Sequence, residues 1–209
     1  MELIVQKYGG SSLVDATAIN NVALRITRSY DQGNRIIAVV SAMGGTTDEL
    51  TCLAHQVSDQ PNPRELDLLL STGELVSCTL LAMAVRSLGH EAISLSGAQA
   101  GIRTDTHHGR ARIAFVNPAR LQTELDEGNI VIVAGFQGAT EGMDITTLGR
   151  GASDLSAVAI AAELGARRCE VYTDVPGIHT ADPRLVPNAR KLGEVAFEEM
   201  LEMASYGAK

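Results

Sequence analysis

The first segment able to do chemistry is Lys7-Tyr-Gly-Gly-Ser-Ser12, which follows a short apolar run and precedes a helix that Asp15 can cap. Adjacent glycines let backbone N–H groups approach an anion closely, the helix start adds partial positive charge, and Lys7 adds a full charge. The spacing G-x-x-x-x-G-K-[ST] occurs nowhere in the sequence, so this is not a Walker loop. The segment predicts a phosphate site, and an ordinary strand-to-helix turn that needs two glycines is the alternative.

A second glycine-rich segment runs from Ser41 to Asp48, again between an apolar run and a helical pattern. In open α/β sheets, ligands bind in the crevice outside the carboxyl ends of the parallel strands. We therefore expect the two loops to face one site.

The segment Gly149-Arg-Gly-Ala-Ser-Asp154 resembles the start of a dinucleotide fingerprint, with Asp174 about twenty residues further on. We reject that interpretation because Asp154 occupies the third glycine position and Met143–Leu148 makes a poor preceding strand. An anion site fits better: Arg150 can grip a carboxylate or phosphate with its planar fork, and Ser153 adds a hydroxyl. Asp154 is expected to hold a lysine or Mg²⁺ in place, with a simple helix cap as the alternative.

Gly73, in Ser71-Thr-Gly-Glu74, lies inside a long helical pattern, where glycine costs roughly 1 kcal/mol relative to alanine. Either a close packing contact or a helix break that turns Glu74 toward a cavity would explain it.

Two loops near the end of the sequence, Tyr172–Ile178 and Thr180–Arg184, could together hold a base, a ribose and phosphates. Each by itself reads as an ordinary Pro/Gly loop. The pair His107-His108 has no acidic or cysteine partner at ligand spacing, so a solvated polar loop is expected there.

Short apolar runs alternate with helical patterns along the chain and predict parallel strands buried on both faces. The runs are Leu3–Gln6, Ile36–Val40, Ala92–Leu95, Ile130–Ala134 and Glu170–Thr173. The helical patterns begin at Asp15, at about Arg64 (to Leu88), at Pro118, at Asp154 (to Leu164, apolar nearly all round and so predicted to be buried) and at Val195 (to Ala204). This alternation predicts an α/β sandwich with a mostly parallel sheet in one domain, residues 1–209.

Composition excludes several classes of function. The formal net charge is −8 and basic residues are scattered, so a nucleic-acid surface is not expected. The three cysteines are far apart and show no metal spacing, which predicts a reducing cytoplasm and no protein-held metal. The N-terminus does not read as a signal peptide, and no apolar stretch approaches the roughly 20 residues of a membrane-spanning helix.

Six segments, in order, resemble the aspartate kinases of the amino-acid kinase superfamily, and the resemblance covers essentially the whole chain. They are Lys7-Tyr-Gly-Gly-Ser-Ser12, Ser41 with Gly44-Gly-Thr-Thr-Asp48, Ser71-Thr-Gly-Glu74, Gly149-Arg-Gly-Ala-Ser-Asp154, Tyr172-Thr-Asp-Val175 and Thr180-Ala-Asp-Pro-Arg184. The chain departs from the family pattern at Ala152, where glycine is usual, and at Pro176, where Asp is common. A methyl group at position 152 is expected to crowd a ligand near Arg150.

The resemblance implies a three-layer αβα sandwich that uses ATP and Mg²⁺ to phosphorylate the β-carboxylate of L-aspartate, the first step toward lysine, threonine and methionine. It implies that Lys7, Lys209 and Asp154 are catalytic, with Asp154 orienting the two lysines. Glu74 would receive the substrate ammonium and Arg150 the α-carboxylate. The remaining implied substrate contacts are Ser41, Thr47, Gly151 and Ser153, and the implied nucleotide contacts are Lys7, Gly9, Gly10, Ser11, Tyr172, Thr173, Asp174, Asp182 and Arg184.

In this family the lysine at the place of Lys209 is followed by a closing strand and helix and then by ligand-sensing ACT domains. The sequence stops at Lys209, so we expect a catalytic domain that is incomplete at its C-terminus and lacks the ACT domains. The resemblance also implies a homo-oligomer for the full-length form. A kinase of another amino acid, such as glutamate or acetylglutamate, and a nucleotide-binding or regulatory subunit without turnover remain alternatives.

Overall fold

The computed structural model describes residues 1–149, 151–175 and 177–206. The chain forms two compact units, one spanning Met1–Tyr172 and a smaller one that begins at Thr173. The strands are β1 (Leu3–Tyr8), β2 (Arg35–Val40), β3 (Ala92–Leu95), β4 (Ile102–Thr104), β5 (Ile113–Val116), β6 (Ile130–Ala134), β7 (Gln137–Ala139), β8 (Ile145–Thr147) and β9 (Arg168–Tyr172). The helices are α1 (Ala16–Asp31), α2 (Thr46–Val57), α3 (Pro63–Ser87), α4 (Ala119–Asp126), α5 (Ser153–Glu163) and α6 (Phe197–Ser205).

The first unit is built on a five-stranded sheet in the order β3-β6-β2-β1-β9. Every neighbouring pair in this sheet is parallel. Its strands coincide with the five apolar runs of the sequence, so the predicted parallel sheet is confirmed.

Helices cover both faces of this sheet. One cluster of buried side chains joins α1 and α3 to one face, and a second joins α4 and α5 to the other. Alternation along each strand divides the residues between the clusters: Ile4 and Tyr8 of β1 belong to the first and Val5 to the second. The αβα layering is confirmed for this unit.

A second sheet, of four short strands in the order β5-β4-β7-β8, lies outside the sequence prediction. It pairs β4 with β5 and β7 with β8 in antiparallel fashion, and β4 with β7 in parallel. Its strands have three or four residues each, too few to show a period-two pattern. Because β8 belongs to this sheet, it is not the parallel strand that a dinucleotide fingerprint requires.

Helix α3 is the longest element and is continuous from Pro63 to Ser87. By length and composition alone it could cross a membrane, so the expectation that no apolar stretch approaches that length was wrong. Its buried face carries Asp67 and Glu74 and packs against the five-stranded sheet, as the core helix of a globular unit does.

Two other expectations about burial were wrong. Helix α5 buries only one face, because Leu155 and Val158 are about half exposed. Strand β9 is an edge strand of the sheet, and its residues Cys169 and Val171 are exposed rather than buried on both faces.

The second unit contains an isolated antiparallel bridge between His179 and Lys191 and the helix α6. The backbone pairs Thr180 with Arg190 and Leu192 with Ile178 around that bridge. Helix α6 begins two residues later than the sequence pattern suggested, and Glu199 accepts a hydrogen bond from the Ala196 N–H at its start.

Candidate active site

The two glycine-rich loops lie side by side at the carboxyl ends of β1 and β2. The Gly44 N–H donates to the Gly10 carbonyl at 3.1 Å, and the Ser41 N–H donates to the Tyr8 carbonyl at 3.1 Å. A Cβ atom at Gly10 would lie 2.8 Å from the Ala42 carbonyl oxygen, closer than real Cβ contacts come. Glycine at position 10 is therefore required for the two loops to meet.

Lys7 forms an ion pair with Asp154 at the start of α5. The Nζ to Oδ1 distance is 2.7 Å, and the lysine side chain is 12% exposed while that of Asp154 is 53% exposed. Asp154 is the second residue of α5 and the cap position belongs to Ala152, so the interpretation of Asp154 as a simple helix cap was wrong. The geometry fits a carboxylate that fixes the position of a lysine ammonium while leaving it accessible to an anion.

The backbone amides after β1 fall into two groups, one hydrogen-bonded to the protein and one available to an anion. The Gly9 N–H donates to the Tyr172 carbonyl of β9 at 3.3 Å, so in this conformation it binds protein rather than an anion. Gly10 and Ser11 open a short 3-10 helix, Gly10–Leu13, and the first N–H groups of a helix have no acceptor within it. These two amides are the ones in the loop that an anion near Lys7 can use.

Glu74 is buried beneath the second loop with half of its carboxylate unused. Its side chain is 3% exposed, and Oε1 accepts the Ala42 N–H at 3.1 Å. Its Oε2 is one of the buried side-chain polar atoms that have no partner among the described residues. Burial raises the pKa of Glu74 to about 7, and the Ala42 hydrogen bond only partly opposes that effect.

Gly73 allows α3 to pack closely against the loop after β2. A Cβ there would lie 3.0 Å from the Cβ of Ala42 and 3.5 Å from the Cγ2 of Thr46. The interpretation of Gly73 as a helix break was wrong, because α3 is uninterrupted through this position. Glu74 reaches the loop because Gly73 lets α3 approach it closely.

Ser41 and Thr47 belong to the same loop. The Ser41 carbonyl accepts the Ser77 hydroxyl at 2.7 Å, which ties the start of the loop to α3. Thr47 is the second residue of α2 and is half-buried. Glu74, Ser41 and Thr47 are thus positioned by one contact region between α3 and the loop after β2.

The structure describes every residue of the loop before α5 except Arg150. Gly149 and Gly151 have φ values of +91° and +80°, which favour glycine. Ser153 is buried, and its Cβ would lie 2.9 Å from a Cβ at Gly135. The role predicted for Arg150 lies outside the described residues.

The side chain of Ala152 points into the protein. It belongs to a small apolar cluster with Ala111, Phe136 and Leu148. The methyl group is thus packed inside the protein, and the expected crowding of a ligand near Arg150 stays a prediction.

The side chain of Tyr172 is not placed with Lys7. It stacks on Tyr8 with ring centroids 4.9 Å apart, donates to Glu170 at 2.8 Å and lies beneath Arg25. This is the α1 side of the sheet, whereas Lys7 pairs with α5 on the opposite side. Tyr172 therefore borders the Lys7 loop through its backbone carbonyl and not through its ring, and its role as a nucleotide contact stays a prediction.

The other nucleotide candidates belong to the second unit. Thr173 donates to Asp174 at 3.2 Å, and Arg184 binds Asp182 with its Nε at 3.1 Å and its Nη2 at 2.8 Å. Asp182 thus holds the guanidinium of the residue predicted to reach phosphates. Pro176 and Lys209 lie outside the described residues.

Sequence reasoning missed a buried acidic partner for one histidine. His107 is exposed, as expected of a solvated loop, but His108 donates its Nδ1–H to Asp67 at 2.7 Å. Asp67 is 1% exposed and lies on the same face of α3 as Glu74. The 41 residues that separate the partners left no local signal; the only hint was an acidic residue two helical turns before Glu74.

Within the described ranges, no group of three or more His, Cys, Asp or Glu side chains could hold a metal ion. The cationic and amide groups near Lys7 suit an anion instead. The chemistry available is the binding of an anionic group by Lys7 and of a cationic group by Glu74.

The fold and the lysine loop together define a class of protein. The family model for the amino acid kinase family matches residues 2–209, so the chain belongs to that family.

Within it, several similar proteins are named as aspartate kinases. An aspartokinase of Mycobacterium bovis is 60% identical over 210 residues, which cover 100% of this chain and 50% of that protein. The crystal structure of aspartate kinase from Synechocystis gives a TM-score of 0.87 at 52% identity, covering 99% of this chain and 34% of that one. The crystal structure of E. coli aspartokinase III in complex with aspartate and ADP also gives 0.87, at 30% identity, covering 99% of this chain and 57% of that one. The chain spans about half the length of the curated relatives it matches.

Proposed function

We propose that the protein containing this chain is an ATP-dependent aspartate kinase that converts the β-carboxylate of L-aspartate to 4-phospho-L-aspartate. The observation that carries the proposal is the buried, unpartnered Oε2 of Glu74 beside the loop that packs on the Lys7 loop. The names of the similar proteins support the choice of aspartate, and one of them was solved with aspartate and ADP.

An unpartnered buried carboxylate oxygen costs free energy unless a ligand supplies a donor. The ammonium group of an amino acid is such a donor, and it also favours the ionised form of Glu74. Glu74 and Ala42 share a hydrogen bond, and Ala42 in turn contacts Gly10, so an ammonium at Glu74 lies near the loop that follows Lys7. Arg150 is proposed to take the α-carboxylate, and Ser41, Thr47, Gly151 and Ser153 are proposed to line the rest of the substrate site.

The acceptor needs no general base, because the β-carboxylate of aspartate is already ionised at neutral pH. ATP with Mg²⁺ supplies the γ-phosphoryl group, whose bond to ADP breaks as the carboxylate oxygen bonds to phosphorus. Lys7 and the Gly10 and Ser11 amides neutralise and orient the phosphates, and Asp154 holds Lys7 in position. Lys209 is proposed as a second lysine facing the phosphates.

The remaining nucleotide contacts are proposed to come from Thr173, Asp174, Asp182 and Arg184. Mg²⁺ is proposed to be held mainly by phosphate oxygens, since the described residues offer no cluster of protein ligands for it. We further propose the first step of lysine, threonine and methionine synthesis, a cytoplasmic location and a homo-oligomeric full-length form. The three free cysteines support a reducing compartment.

Aspartyl hydroxamate formation with ATP, Mg²⁺ and hydroxylamine tests the proposal, with L-glutamate and N-acetyl-L-glutamate as rival substrates. Glu74→Gln is expected to raise the aspartate KM about 100-fold, because a charge-assisted contact is lost and an uncharged amide is left buried. The ATP KM is expected to stay unchanged.

Glu124→Gln is the matched control. Glu124 is also buried but lies on α4, where Asn129 and Arg120 occupy its oxygens at 2.7 and 2.5 Å. Glutamate-dependent turnover would reassign the substrate, and ATP binding without turnover on any amino acid would favour a binding or regulatory subunit.

A further inference from the structure

Asp67 is a buried carboxylate whose two oxygens are fully used. Oδ1 accepts the Thr147 hydroxyl at 2.6 Å, and Oδ2 accepts the His108 Nδ1–H at 2.7 Å. The Gly109 N–H donates to both oxygens, at 3.1 and 3.0 Å. The donors come from two separate segments, so Asp67 fastens both of them to α3.

The two segments also bind each other. The Ala111 N–H donates to the Thr147 carbonyl at 2.9 Å, and a Cβ at Gly149 would lie 3.7 Å from the Gly109 carbonyl. Thr147 ends β8 and is followed by Leu148, Gly149 and then Arg150 in sequence. The loop 105–111 therefore supports the backbone that leads into the predicted carboxylate-binding loop.

Asp67 and Glu74 lie seven residues apart on the buried face of α3, about 10 Å along the helix axis. One end of this face thus holds the segment that leads to Arg150, and the other presents the unpartnered oxygen of Glu74. The same helix therefore holds both the Glu74 carboxylate and the segment that leads to Arg150, which are proposed to bind the ammonium and the α-carboxylate that an amino acid carries on one carbon atom.

We propose that Asp67 and His108 are positioning residues for the amino-acid substrate, which they do not touch. They hold residues 145–149 against α3 and so set the distance between the group that binds the α-carboxylate and the group that binds the ammonium. This inference rests on the proposed function for its substrate. Its structural half, the fastening of residues 145–149 by His108, does not depend on that function.

The adjacent histidines supply a matched pair of variants. His108→Ala removes the Nδ1–H donor, whereas His107→Ala removes a side chain that is 80% exposed and pairs with Asp105. His108→Asn places an amide N–H near the position of Nδ1 and is the conservative rescue. His108→Gln moves that donor away by one methylene group.

Steady-state kinetics and hydrogen–deuterium exchange are measured on all four variants and the parent chain. We expect His108→Ala to raise the aspartate KM about 10-fold with little change in kcat and none in the ATP KM, since a hydrogen bond to a charged group is lost. We expect faster amide exchange in residues 109–111 and 145–149 of His108→Ala, but not in the Lys7 loop. His108→Asn should restore both readouts, and His107→Ala should change neither.

The exchange data separate this inference from the proposed function. Absence of aspartate turnover in the protein that contains this chain defeats the proposed function, while exchange still tests the fastening of residues 145–149. Equal exchange in His108→Ala and His107→Ala overturns the inference whatever the kinetics show. Faster exchange with an unchanged aspartate KM also overturns it, because the loop then does not set substrate spacing. If His108→Ala fails to fold, His108→Asn against His108→Gln makes the same comparison.

Discussion

Helix α3 carries two buried carboxylates on one face, and they differ in how their oxygens are used. Asp67 accepts hydrogen bonds from His108, Gly109 and Thr147. Among the described residues, Glu74 accepts one hydrogen bond from outside its helix, from the Ala42 N–H, and its Oε2 has no partner. Both are at least 97% buried, so burial alone does not distinguish them.

This difference in hydrogen-bond partners distinguishes a structural carboxylate, Asp67, from a ligand-binding carboxylate, Glu74. A fully partnered buried charge is stabilised by its donors and destabilises the protein when it is removed. A buried charge with an open oxygen is destabilising until a ligand completes it, which is common where a site is built for binding. The two halves of α3 therefore predict opposite responses to substitution.

The largest effect is expected from Asp67→Ala. Loss of the carboxylate leaves the His108 and Thr147 side chains and the Gly109 N–H without their acceptor, and the free energy of unfolding should fall by about 3–5 kcal/mol. Urea unfolding followed by circular dichroism measures this change.

Asp126→Ala is the control, since Asp126 forms an exposed ion pair with Arg35 and should cost less than about 1 kcal/mol. Equal losses in the two variants would show that Asp67 is not the structural carboxylate of α3.

Glu74 should destabilise the empty protein as pH rises. Its pKa is raised from 4.5 to about 7 in the folded chain, so between these values the folded state binds more protons than the unfolded one. The unfolding free energy of the parent chain should therefore fall relative to Glu74→Gln, by roughly 3 kcal/mol once pH exceeds the folded pKa.

Unfolding of the two chains at several pH values from 4 to 8 measures this difference, with Glu124→Gln as the control. Saturating L-aspartate should remove most of the pH dependence, because an ammonium at Oε2 favours the ionised form. A difference that does not vary with pH would contradict the assignment of Glu74 as the open carboxylate.

The same comparison explains what could be predicted from sequence. The Lys7 loop, the loop after β2 and the five parallel strands were predictable, because glycines and β-branched runs are local signals. Glu74 was singled out through Gly73, although the reason was close packing on Ala42 and not a helix break.

The partners of Asp67 were not predictable. They lie 41 and 80 residues away, in a loop and in a strand of only three residues. In the sequence, a histidine next to another histidine indicates only a polar loop. The contact of His108 with α3 arises only when the second sheet has folded. Tyr172 is a related case. Its position at the end of a strand was predicted, but the sequence did not indicate which face of the sheet its side chain would occupy.

The smallest effect is expected from Thr147→Val, which removes one of the donors to Asp67 and keeps the shape of the side chain. The loss of a hydrogen bond to a charged group should lower the unfolding free energy by about 2 kcal/mol. Thr146→Val is the matched control: Thr146 is equally buried, but its hydroxyl bonds the neutral Thr104 hydroxyl at 2.6 Å, and Thr104 also bonds the Asp105 carbonyl. That loss should be about 1 kcal/mol. Thr147→Val should also raise the aspartate KM, whereas Thr146→Val should not. Equal effects of the two variants on the unfolding free energy and on the aspartate KM would mean that the hydrogen bond from Thr147 to Asp67 has no special role.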